Sequence, residues 1–129
     1  MVKPQSLSDK KNKLLEIIML NTQSNRLEWA KSTETQNFAG MVYTAQSGNI
    51  ILRFQSKIIS KRLSPPNSYI DPPIRSVHDY SLLCERDNSP ELLFDSKEMP
   101  QGLSNLHALI IKQLEMNSMD SLIDEFLHG

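Results

Sequence analysis

The segment from Asn37 to Ile59 constrains the fold more than any other stretch of this chain. Phe38, Val42 and Thr44 alternate with Met41, Tyr43 and Ala45, Gln46-Ser47-Gly48-Asn49 supplies turn residues, and Ile50-Ile51-Leu52-Arg53-Phe54 returns. Period-two β-branched and aromatic residues on either side of such a turn predict a β-hairpin. A hairpin fixes its strands as antiparallel neighbours, so the sheet is antiparallel at its centre. Gly40, inside the outgoing strand, predicts a bulge or a close backbone approach.

The flanking segments extend that sheet and supply its helices. Leu27 and Trp29 alternate with polar neighbours in Arg26–Ala30, a leading strand, and Asp79–Cys84 and Glu91–Phe94 form a second hairpin around Asp87-Asn88-Ser89-Pro90. A first helix is predicted over Ser8–Asn21, capped by Ser8 or Asp9, with Leu7, Leu14, Ile17 and Ile18 as its apolar stripe. A second runs from Leu103 to Met116 on Leu103, Leu106, Ile110 and Leu114, backed by Leu109. Ser118 is read as the cap of a third, with Asp120 in its first turn and Met119, Leu122, Ile123 and Phe126 on its apolar face. The expected architecture is one α+β domain over residues 1–129. In it an antiparallel sheet of about five strands carries the N-terminal helix and two C-terminal helices on one face.

From Lys61 to Val77 the pattern fails, because Pro65, Pro66, Pro72 and Pro73 can neither donate to a sheet nor continue a helix. This segment, 61–77, reads as a long inserted loop. Within it Pro65-Pro66 and Pro72-Pro73 flank Tyr69 and Ile70, apolar side chains on a stiffened segment that a partner groove accepts at low entropic cost.

Composition narrows the function classes. At 129 residues and 39% hydrophobic the chain can bury one core, and no apolar run approaches the roughly 20 residues of a membrane-spanning helix. The first residues lead into Asp9-Lys10-Lys11, which is unlike a secretory signal, and the lone Cys84 excludes an internal disulfide, so a cytoplasmic location is expected. The net charge of -1 is a cancellation. Residues 1–62 hold 10 basic and 4 acidic side chains, a balance of +6, and residues 63–129 hold 4 and 11, a balance of -7. Opposite halves of this kind either neutralise one another where they pack or present a basic surface to an anionic partner.

Catalytic groupings are sparse, and no enzyme activity, cofactor or metal site is expected. His107 has no metal-ligating residue three or four positions away, and His78 and Asp79 are adjacent on a strand and so point to opposite faces. His78 and Cys84 share a strand face but stand about 20 Å apart, beyond the reach of a nucleophile and its base. Asp120 and Asp124 lie on one helix face, where solubility accounts for them as simply as a metal does. With four glycines in all, phosphate-cradling loops are missing. Lys10, Lys11 and Lys13 on the first helix and Arg53, Lys57, Lys61 and Arg62 on the hairpin form two basic groups suited to nucleic acid if they share a surface. Trp29, Phe38 and Phe54 read as core residues, however, which removes the exposed rings that base stacking needs.

Thr22-Gln23-Ser24-Asn25-Arg26-Leu27-Glu28-Trp29 resembles the Thr-x-x-Gly-x-Leu-x-Trp turn and strand that follow the first helix in a group of small bacterial proteins without an assigned function. Asn25 stands where that pattern has glycine, and both residues tolerate a left-handed backbone. The resemblance extends to the element order and to Leu103-x-x-Leu106-His107, and it leaves out 61–77. It implies an α+β fold and carries over no catalytic residue. The expected function is therefore protein binding in a regulatory role, through the proline-rich loop or a sheet face, with a homodimer through strand edges or the terminal helices as one form of it. The alternative is a nucleic-acid-associated regulator using the basic N-terminal half.

Overall fold

Local turn chemistry builds the sheet. The computed structural model describes residues 6–32, 40–62 and 74–128, with the backbone alone at 60–62 and 74–77. Helix α1 (Leu7–Gln23) is followed by strands β1 (Trp29–Lys31), β2 (Met41–Ser47), β3 (Ile50–Arg62), β4 (Ile74–Arg86) and β5 (Ser89–Asp95), then by helix α2 (Pro100–His128). The strands lie in chain order, each antiparallel to the next. Ser47 pairs with Ile50 across a two-residue turn in which Gly48 takes φ +60°, and Arg86 pairs with Ser89 across Asp87 and Asn88 at φ 54° and 63°. These left-handed turn residues match the right-handed twist of the flanking strands.

One face of the sheet carries both helices. Phe54, Leu82 and Phe94 lie on it fully buried, beneath Leu103, Leu106 and Ile110 of α2 and Leu15 and Ile18 of α1. Each such side chain contributes about 2 kcal/mol by leaving water. The helices run in the same direction: Lys11 Nζ meets Glu98 Oε2 at 2.7 Å near their starts, and Gln113 Nε2 donates to the Thr22 carbonyl at 3.0 Å near the end of α1. Gly102 permits the close approach, since a Cβ there would sit 2.5 Å from Leu15 Cδ2. From Gln113, α2 continues for four more turns, and every residue from Glu115 to His128 is exposed.

The α+β class and the five-stranded antiparallel sheet match the expectation, and several details correct it. Among the described residues there are two helices, not three. Ser118 lies inside α2, where Met116-Asn117-Ser118-Met119 contains no proline or glycine to stop the helix and Asp120 stands at no helix start. Ser6 caps α1 rather than Ser8 or Asp9, its Oγ accepting from the Asp9 amide at 3.1 Å. β1 is Trp29–Lys31 rather than Arg26–Ala30. Gly40 precedes β2, and the sheet's irregularity falls between Leu82 and Leu83 instead. Lys61, Arg62 and Ile74–Val77 are not loop: the β3–β4 ladder carries on to Arg62 opposite Ile74, because pairing continues along a template that local sequence does not advertise. The expected strand residues Phe38 and Ala39 lie outside the described residues.

The stripe expected on α1 is also displaced. Leu15, Ile18 and Thr22 are its buried residues, while Leu7, Leu14 and Ile17 are exposed. Two apolar lines run along this helix, and only one of them faces the core.

Candidate functional site

The turn after α1 is held by a side chain from the far end of the sequence. Gln113 is buried on α2, and its Oε1 accepts the Trp29 backbone N–H at 2.7 Å. Its Nε2 donates to the carbonyls of Thr22 and Leu27, at 3.0 and 2.7 Å, and to Asn25 Oδ1 at 3.2 Å. Thr22 Oγ1 accepts the Trp29 indole N–H at 3.0 Å and donates to the Ile18 carbonyl at 2.8 Å. Thr22, Asn25, Leu27 and Trp29, the residues of the turn pattern, therefore surround one buried amide. Asn25 takes φ 62°, the conformation for which glycine is the default residue. The clamp is structural, and it fixes where α1 sits on the sheet.

Beside α1, on the side away from α2, lies an apolar groove of about 320 Å³. Leu14 and Ile17 form its helical wall, Leu52 and Cys84 its floor, and Ile50 and Leu93 its far side near the two hairpin turns. Leu7 lies two turns before Leu14 on the same line of α1 and prolongs the apolar wall. Arg86 lines the groove as well, paired with Glu91 at 3.6 Å, and on α1 Lys10 falls at a helical angle between Ile17 and Leu14 and Lys13 beside Ile17. The groove is thus apolar within, with Arg86 on its lining and Lys10 and Lys13 on the adjoining turns of α1.

A second apolar surface is the outer part of α2. Met116, Met119, Leu122, Ile123, Phe126 and Leu127 are all exposed, Phe126 to 85%. At 3.6 residues per turn they centre about half a turn from the core line of Leu103, Leu106, Ile110 and Gln113. Where that core line would continue past the sheet stand Asn117, Ser121 and Asp124 instead. Met116, Met119, Ile123 and Phe126 follow the three-four-three spacing of a helix-pairing seam.

Other residues singled out in the sequence are placed as follows. Cys84 is buried, and His78 meets rings rather than the thiol: it stacks on Tyr80 at 5.6 Å and stands 6.1 Å from His107. His107 in turn stacks on Phe54 at 5.7 Å and tilts against Tyr43 and Tyr80. Burial holds the His107 imidazole below its ordinary value, and the neighbouring His78 charge acts in the same sense. Sequence spacing gave no hint of this histidine pair, which forms only because α2 crosses β4. Asp120 and Asp124 are exposed, and no group of three or more metal-ligating side chains occurs among the described residues.

The two basic groups do not share a surface. Lys10, Lys11 and Lys13 belong to α1, while Arg53 and Lys57 project from the opposite face of the sheet and pair with Glu85 at 3.0 Å and Asp79 at 3.8 Å. Lys61 and Arg62 stand at register positions opposite Arg75 and Ile74. Pro65, Pro66, Tyr69, Ile70, Pro72 and Pro73 lie outside the described residues. Among the described residues, three ion pairs, Lys11–Glu98, Arg53–Glu85 and Lys57–Asp79, join the basic half of the chain to the acidic half. No helix among the described residues is long and apolar enough to cross a membrane. No family model, curated protein or solved structure matches the chain.

Proposed function

We propose that this chain is a protein-binding module rather than an enzyme, and that the groove beside α1 is its contact surface, accepting an amphipathic helix with an acidic border. The observation that carries the reading is the groove itself: Leu14 and Ile17 stay exposed on a helix that has a second apolar line for its core, with Arg86 on the groove lining and Lys10 and Lys13 on the adjoining turns of α1. A helix laid in such a groove gives its apolar face to Leu14, Ile17 and Ile50 and its carboxylates to Lys10, Lys13 and Arg86. The apolar contact supplies affinity, and the charges set the orientation and exclude basic helices.

The test is a titration of the purified protein, at a concentration where sedimentation shows it monomeric, with a labelled synthetic helix that has leucine along one face and glutamate elsewhere. Saturable binding is expected, weakened at least about tenfold by Ile17→Asp and absent for the matching leucine-lysine helix. Equal affinity for both helices, or no binding of either, overturns the reading.

A further inference from the structure

We infer that the helix occupying this groove is the outer part of α2 from a second copy of the chain, exchanged reciprocally so that each copy fills the other's groove. This rests on the groove being a helix-binding surface and names its occupant. Four features of the molecule support it. The outer part of α2 carries Glu115, Asp120, Asp124 and Glu125 beside its apolar face, with His128 the one basic group among its described residues; Arg86 lines the groove, and Lys10 and Lys13 stand on the adjoining face of α1. The signs are complementary, even though Glu91 reaches Arg86 at 3.6 Å in the single chain. The lengths agree as well: Leu7 to Leu20 spans about 20 Å of α1, and Met116 to Leu127 about 17 Å of α2.

The third feature is direction. α2 is one unbroken helix running the same way as α1, so its outer turns leave the sheet beyond the end of α1 and do not return to their own groove. Their apolar face also points about half a turn away from their own core line. Contact with a groove of this kind is therefore made in trans. Fourth, of the twelve large hydrophobic side chains exposed among the described residues, all but Ile58 and Leu92 lie on α1 or the outer part of α2. One pairing covers both sets, and two-fold symmetry doubles its area toward the roughly 1,200–2,000 Å² of specific interfaces. An acidic border disfavours the anionic membrane surface as an alternative, since interfacial helices carry Lys and Arg there.

The experiment is sedimentation equilibrium of the full chain over a wide concentration range, with the variants Ile17→Asp in the groove and Phe126→Glu on α2. Both positions are solvent-exposed, so each variant is expected to keep the wild-type circular dichroism, and its thermal midpoint at concentrations where the wild type is monomeric. Wild type is expected to approach twice the chain mass, and each variant alone to dimerise at least about 100-fold more weakly. An equimolar mixture of the two should recover a heterodimer, because the intact α2 of Ile17→Asp meets the intact groove of Phe126→Glu, whereas neither variant alone retains an intact contact. A wild-type chain that stays monomeric throughout, a mixture that recovers nothing, or an Ile17→Asp protein that dimerises normally overturns the exchange; the last outcome places α2 against α2. A monomeric wild type that still binds the leucine-glutamate helix leaves the binding function standing and removes only the second copy. Failure of both removes the function too.

Discussion

Gln113 is the residue on which the most structure converges. Its amide serves Thr22, Asn25, Leu27 and Trp29 across more than 80 positions of sequence. Gln113→Leu conserves much of the volume but leaves the Trp29 N–H and the Leu27 carbonyl buried without a partner. It is expected to cost about 3 kcal/mol, seen as a lower urea midpoint with unchanged slope. His107 tests burial by pH. Its folded-state value lies below the ordinary 6.5, so as pH falls through 6.5 the unfolded chain gains a proton that the folded chain resists, and stability declines until the folded value is passed. His107→Phe keeps a ring against Phe54 and removes the proton; the fall in urea midpoint between about pH 7.5 and about pH 5.5 should become shallower than in wild type. An unchanged slope with pH would assign the dependence elsewhere.

Among elements, α2 shows how one helix can carry two apolar lines in series. Its first half is read correctly from Leu103, Leu106 and Ile110, which face the sheet and are fully buried. Its second half has an equally clear apolar line, and the same periodicity argument assigns it to the core, which is where it does not go. A serine between the two lines looks like a cap because caps and exposed helix interiors both use serine. Ser118→Ala separates these roles. At a cap it would lose helix content at a cost of about 1 kcal/mol; inside α2 it should raise the ellipticity at 222 nm slightly and slow amide exchange in the outer turns. α1 repeats the lesson on a smaller scale, since Leu14 and Leu15 are neighbours in sequence and opposite in exposure.

At the scale of the whole molecule, the charge asymmetry is partly internal. Basic residues of the first half meet acidic residues of the second because antiparallel pairing and helix packing bring those halves together. Among the described residues, Lys10 and Lys13 on α1 and the acidic side chains of the outer part of α2 make no ion pair in the single chain. The proline-rich segment 63–73 lies outside the described residues. Arg62 and Ile74 are register partners, so a two-residue turn can join them directly. Replacing residues 63–73 with Asn-Gly is expected to leave the thermal midpoint and the association state unchanged, measured by calorimetry and sedimentation. Loss of association in that variant would move the contact from the groove to the proline-rich segment.

The sequence alone determined the elements whose signals are local. The turns at Gly48 and Asp87-Asn88, the antiparallel order and the buried run along the first half of α2 all follow from periodicity and backbone preference. Tertiary structure decided what two apolar lines on one helix cannot say about themselves. Leu15 rather than Leu14 faces the sheet because Gly102 lets α2 approach there and Gln113 fixes the end of α1. The outer turns of α2 remain uncovered because the sheet ends before the helix does. Hydrophobic periodicity records that a face will be buried, and only the arrangement of elements says whether its own chain or another buries it.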